Sequence, residues 1–183
     1  MTNARPSRDT VVLVDDLGHP LGTSPKLAAH EPPGMLHLAI SVFLYRADGS
    51  MLLQRRARSK YHFPGVWANA CCSHPSPGES AADAAVARVE EELGLTAVLE
   101  PAGSIVYRAT CASSGLVEHE LDEIFVGVID ADPDPDPAEV AEVAWVTVDR
   151  LRNGEHPGAL APWFWPALER AEALRSGSGQ ALR

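Results

Sequence analysis

The apolar residues fall mostly into short runs suited to strands, with one stretch in a helical rhythm. Val11 to Val14 is a short apolar run closed by the turn signal Asp15-Asp16-Leu17-Gly18. Lys26 to His30 suits a helical turn, which Pro32-Pro33-Gly34 must end because proline cannot continue a helix. Leu36 to Tyr45 is apolar enough for a central strand, and Asp48-Gly49 turns it into a partner strand at Met51 to Arg55. Gly78-Glu79-Ser80 opens a helix from Ala81 to Leu93, dense in good helix formers and stopped by Gly94. Strands follow at about Ala97 to Arg108, Glu118 to Ile129 and Glu142 to Val148. Pro162 to Leu174 reads as an amphipathic closing helix. Residues 1–9 read as a loose N-terminal tail and residues 176–183 as a frayed C-terminal one. A single α+β domain over residues 10–175 remains, with no internal repeat.

A chain of 183 residues with 45% apolar and 22% charged residues is ordinary for one globular domain. No apolar stretch is long enough to span a bilayer, and Met1 to Arg8 does not read as a signal peptide. Three cysteines, two of them adjacent, make no disulfide framework and point to a reducing, cytoplasmic setting. The net charge of −10 argues against a nucleic-acid partner. Binding of a phosphate must therefore rely on local cations, and Lys26, Arg55, Arg56, Arg58 and Lys60 are available. Arg55 and Arg56 are strand neighbours and should face opposite ways.

Chemistry concentrates in two segments, Trp67 to Pro75 and Val117 to Leu121. Side chains of an extended chain alternate faces, so Cys72 and His74 share one face and Cys71 takes the other. Glu118 and Glu120 likewise share a face, with His119 opposite. A thiol, an imidazole and two carboxylates converging from two strands suit metal or proton chemistry.

The helix end Arg88-Val89-Glu90-Glu91-Glu92-Leu93-Gly94-Leu95, with Glu79 thirteen residues before Glu92, resembles the Nudix box. It departs from the box at Ser73, where the opening glycine belongs, and at Arg88, where a glutamate belongs. A cation beside Glu92 disfavours a multi-metal hydrolytic cluster and suits pairing with Glu92 or contact with an anionic substrate. Six further motifs occur in order: Ala29-His30, Leu36-His37-Leu38-Ala39, Pro64-Gly65-Val66-Trp67, Cys72-Ser73-His74-Pro75, Tyr107-Arg108-Ala109-Thr110 and Glu118-x-Glu120. Together they resemble the type I isopentenyl-diphosphate isomerase family, from about Val11 to Trp165.

That resemblance implies a Nudix-like fold, a mixed β-sheet flanked by helices. It also implies interconversion of isopentenyl and dimethylallyl diphosphate through a tertiary carbocation, an activity that feeds isoprenoid biosynthesis. It places one divalent ion (Mn²⁺, Mg²⁺ or Zn²⁺) on His30, His37, His74, Glu118 and Glu120. A second ion, Mg²⁺ carrying the substrate diphosphate, falls to Glu92 and the main-chain carbonyl of Cys72. Cys72 and Glu120 take the proton-transfer roles, with Tyr107 assisting Glu120. Lys26, Arg56, Lys60 and Arg88 match the diphosphate contacts, and Trp163 the aromatic that covers the cation. His19, His62, His119 and His156 match no family position. The implied partner is a small diphosphate, with neither nucleic acid nor membrane, and the implied assembly a monomer or homodimer. Two other readings fit the fold: a Nudix hydrolase of a nucleoside diphosphate derivative, and a non-catalytic metal- or phosphate-binding module. The first leaves Arg88 and the surplus histidines unexplained, and the second leaves Cys72, Tyr107 and Trp163 without a task.

Overall fold

In a computed structural model, which describes residues 9–178, β1 (Thr10–Val14) and β2 (Pro20–Pro25) form a hairpin leading to the short helix α1 (Lys26–His30). β3 (His37–Tyr45) and β4 (Ser50–Arg56) follow, joined at a turn where Asp48 accepts from the Ser50 N–H and Gly49 takes φ 83°. Next come the short strands β5 (Trp67–Asn69) and β6 (Cys71–Ser73), then helix α2 (Ala81–Leu93). The long strands β7 (Leu99–Thr110) and β8 (Val117–Val128) precede β9 (Val140–Thr147). A helical turn α3 (Val148–Arg152) and the closing helix α4 (Phe164–Ser178) complete the described chain.

All the strands belong to one mixed sheet built around β3, which pairs in parallel with β8 and antiparallel with β1, β4 and β6. β3 is apolar on both faces because both are covered. Phe43 and Tyr45 enter one core with Trp163, Phe164 and Leu168, roofed by α4. Ile40, Val42 and Leu44 enter the other with Val89, Leu93 and Phe125, roofed by α2. Ser80 caps α2 by accepting the Asp83 N–H at 3.0 Å, and Gly94 ends it in the left-handed conformation at φ 64°. The expected α+β architecture, with helices flanking a mixed sheet, is the one observed.

Some elements differ from the sequence expectation. β2 was not expected, since Pro20 and Pro25 bound it; it lies at the sheet edge, where a missing N–H costs no ladder bond. α3 is a single turn capped by Thr147, too short for periodicity to reveal. β7 starts and ends two residues later than expected. α4 runs on to Ser178, so residues 176–178, expected in the frayed tail, are helical. The rest of that tail lies outside the described residues, as does the N-terminal tail apart from Asp9, whose carbonyl accepts the Lys26 N–H at 2.7 Å.

Candidate active site

Strand register assembles the site. Glu120 on β8 stands beside His37 on β3 and, across its other edge, beside Tyr107 on β7. Glu118 is two residues away and therefore on the same face. Gly34 makes the approach of the preceding loop possible, because a Cβ there would stand 2.6 Å from Cγ1 of Val117. β6 runs antiparallel to β3 with Cys72 opposite Ser41, which leaves His74 just past the strand end.

The ligand atoms of His30, His37, His74, Glu118 and Glu120 all lie within 4.8 Å of one another, and all five residues are buried. His30 Nε2 is 2.9 Å from Glu118 Oε2, and His74 Nε2 is 2.8 Å from Glu120 Oε1. His37 Nε2 is 3.2 Å from His74 Nε2. Burial and the charge of Glu120 push the Glu118 carboxyl up, but hydrogen bonds from His30 and His62 outweigh them and hold it below its ordinary value. Burial is likewise outweighed at Glu120, which the imidazoles of His37 and His74 hold well below the usual carboxylate range. Burial, then the positive charge of Lys26, depresses His74 to about 3.

This donor set fits a divalent cation. The Nδ1–H groups of His30 and His37 donate to the carbonyls of Lys26 at 2.7 Å and Met35 at 2.8 Å. With a cation in place of the proton, each ring would present its Nε2 lone pair inward, the arrangement that backbone carbonyls impose on metal-binding histidines. Inward lone pairs and two carboxylates repel one another unless a positive charge sits among them. Three imidazoles with two carboxylates suit a borderline ion of five or six ligands better than a closed tetrahedral cage.

The thiol lies in the same cleft. Trp163 Nε1–H donates to Cys72 Sγ at 3.2 Å, and the thiol donates to Asn69 Oδ1 at 3.1 Å. The direction of the second bond is fixed, because Asn69 Nδ2 already donates to the carbonyls of Val42 and Cys71. Burial, reinforced by the nearby Asp122, pushes the Cys72 thiol up to about 12. Cys71 points the other way, fully buried in the core beneath α2, as alternation requires. Tyr107 lines the cleft and donates its hydroxyl to Glu120 Oε2.

Lys26, Arg56, Lys60 and Arg88 also line the cleft, giving a cationic lip to a chain of net charge −10. Burial and the neighbouring Lys60 charge lower Lys26 to about 8. Arg55 faces away, donating to the Gly65 carbonyl and pairing with Glu142. Arg88 does pair with Glu92: Nε donates to Oε1 at 3.1 Å and Nη2 also contacts it, while Gln54 Nε2 donates to Oε2 at 3.2 Å. Glu92 thus stands behind Arg88, apart from the five-residue cluster.

One residue escaped the sequence reading. His62 lines the cleft with its Nδ1 2.7 Å from Glu118 Oε1. It sits in the irregular segment between β4 and β5, beside Phe63 at φ 46°, where no periodicity indicates a direction. The other unassigned histidines lie elsewhere: His19 pairs with Asp15, His119 meets the Gly34 carbonyl and His156 meets the Gly158 carbonyl.

The NUDIX domain matches residues 35–170 and, with the mixed sheet and α2, defines the class as a NUDIX-domain protein. Solved structures share the fold: the MutT protein of Methanosarcina mazei Go1 has a TM-score of 0.63 at 21% identity, covering 76% of this chain and 95% of that one. The Nudix hydrolase RenU of M. smegmatis has a TM-score of 0.56 at 20% identity, covering 91% and 94%. The isopentenyl-diphosphate Delta-isomerase of Streptomyces griseus subsp. griseus is 48% identical over 169 residues, 91% of this chain and 86% of that protein. The enzyme of that name from Nocardia farcinica is 47% identical over 173 residues, 93% and 99% of the two chains. The chain belongs to the isopentenyl-diphosphate Delta-isomerase family within the NUDIX class.

Proposed function

We propose that the protein interconverts isopentenyl diphosphate and dimethylallyl diphosphate. This reading is carried by a half-buried thiol whose surroundings favour its protonated form and a buried carboxylate whose surroundings favour its ionised form, both lining one cleft. Environments that push two titratable groups apart create an acid and a base. Moving an unactivated double bond needs both. Cys72 gives a proton to the terminal methylene carbon, the tertiary carbon becomes cationic, and Glu120 removes a proton from the neighbouring methylene. The double bond re-forms there, so one proton enters and one leaves. Tyr107 holds the second oxygen of Glu120 and so fixes the direction of the first. The Trp163 indole beside Cys72 offers its face to the cation, worth roughly 0.5–2 kcal/mol.

Lys26, Arg56, Lys60 and Arg88 bind the diphosphate in this reading, and their charge sets its orientation before chemistry. His30, His37, His74, Glu118 and Glu120 would hold a divalent cation, which supplies positive charge that tunes the proton affinity of Glu120. Glu92 and the Cys72 carbonyl are the proposed holders of Mg²⁺ on the diphosphate, and this requires Arg88 to release an oxygen of Glu92 to reach the substrate.

Incubation of the protein with isopentenyl diphosphate in D₂O tests the proposal. Deuterated dimethylallyl diphosphate is the expected product, and chelation of divalent metal should abolish it. Released inorganic phosphate without isomerised product would overturn the reading in favour of a hydrolase.

A further inference from the structure

His62 touches the metal-binding cluster without belonging to it. Its Nδ1 is 2.7 Å from Glu118 Oε1, while the other oxygen, Oε2, faces His30 Nε2 at 2.9 Å. The two oxygens of Glu118 thus have different neighbours, one inside the five-residue cluster and one outside it. A carboxylate only accepts, so the His62 Nδ1 carries the hydrogen in this contact. Arg56 Nη2, 3.3 Å from the same nitrogen, cannot then donate to it; its hydrogen goes to the His62 carbonyl at 3.2 Å. The ring is held from two sides, stacked on His30 at 5.0 Å with an interplanar angle of 12° and edged by Tyr61 at 4.6 Å. Only 6% of the residue is exposed, so the nitrogen has little water to bond instead. Arg56 Nε meanwhile donates to the Phe63 carbonyl at 3.1 Å, which fixes the backbone on the next residue.

We infer that His62 is a positioning residue of the metal centre, anchoring the outer oxygen of Glu118 so that the inner oxygen is presented to a divalent cation. The inference rests on the metal-centre reading of the five-residue cluster. It adds a link of its own: the loop that holds His62 is clamped by Arg56, a residue of the cationic lip. A ligand carboxylate held by such a hydrogen bond arrives preorganised, and losing a partner of this kind typically costs about 10–100-fold in metal affinity.

The test measures metal binding itself, in protein stripped by chelation and titrated with Mn²⁺ by equilibrium dialysis. His62→Phe keeps the ring against His30 and removes the donor; its Kd should rise about 10–100-fold. His62→Asn places an amide N–H near the Nδ1 position and should recover most of the lost affinity. His62→Ala replaces the Phe variant should that protein not fold, as judged by thermal unfolding of the metal-free forms. Donor-less variants that bind Mn²⁺ as tightly as the wild type overturn the inference. So does an Asn variant no better than Phe at equal stability, since that pattern marks His62 as packing alone. Wild-type protein that takes up no Mn²⁺ overturns the metal centre, and the role of His62 with it.

Discussion

Cys71 and Cys72 are chain neighbours on one short strand, yet one is buried and the other half-buried, and they face two different polar environments. Cys71 faces α2, where burial and then the charge of Glu92 push its thiol well above the ordinary value. There Glu92 is locked by Arg88 and Gln54, so the polar groups of that face satisfy one another. Cys72 faces the cleft, where Glu120 is held by imidazoles and a phenol. Both glutamates are nearly sealed from water, at 3% and 6% exposure. The difference lies in the partner: an arginine pairs with one carboxylate, whereas imidazoles surround the other in a cluster that could hold a cation. Burial alone therefore does not tell the two carboxylates apart; the identity of their neighbours does.

The largest expected effect breaks the comparison at the two thiols. Cys72→Ala should lower turnover by about 10²–10⁴ while leaving the fold intact. Cys71→Ala should keep turnover and lose about 1 kcal/mol of stability. Parallel kinetic and denaturant measurements check this, and equal loss of turnover in both variants would erase the distinction between the faces.

A second experiment probes the arginine-locked face. Arg88→Met leaves Glu92 buried without its cationic partner, beside Gln54 and Cys71, and breaking a buried ion pair from one side costs about 3–5 kcal/mol. Combining it with Glu92→Leu should restore most of that stability. Substrate KM should stay raised in both variants, because Arg88 also lines the cleft. An unchanged KM would assign Arg88 to structure only.

The contrast also has a pH signature in metal-free protein. His74 is depressed to about 3 from 6.5 by burial and the Lys26 charge. Between those values the unfolded chain binds a proton there that the folded one refuses, so stability is present above pH 6.5 and is lost as pH falls toward 3. His30 has the opposite sign: burial lowers it, but the Glu118 carboxylate outweighs burial and leaves it raised, which favours folding on the acid side of 6.5. Asp122, pushed well above its ordinary value by burial and then the charge of Glu120, also favours the acid side. The His74 contribution is therefore read against His74→Gln: urea unfolding at pH 7.5 and 5 should show the wild type losing more stability on acidification than that variant does. Parallel profiles of the two proteins would contradict a neutral, buried His74.

Much of this was legible in the chain because it depends on strand alternation. The two-residue spacings Cys72/His74 and Glu118/Glu120 placed those side chains on shared faces, and the largely apolar run of β3 marked the centre of the sheet. His30 and His37 were legible only through resemblance, since a histidine at a helix end or a strand start carries no directional signal. His62 was missed because its loop has no period, and its contact with Glu118 joins two distant stretches of chain. Asn69 was missed for a similar reason: only the strand pairing shows that two carbonyls fix its amide and turn its oxygen to Cys72.

The most direct measurement uses an epoxide analogue of isopentenyl diphosphate and peptide mass spectrometry. The cleft should hold the analogue by its diphosphate with the epoxide against Cys72; the epoxide carbon–oxygen bond opens as a carbon–sulfur bond forms, and the oxygen takes up a proton. The label should fall on Cys72 and spare Cys71 and Cys111. A label on Cys71 or Cys111, or none on protein that turns over isopentenyl diphosphate, would contradict the assignment of Cys72 to the reacting face.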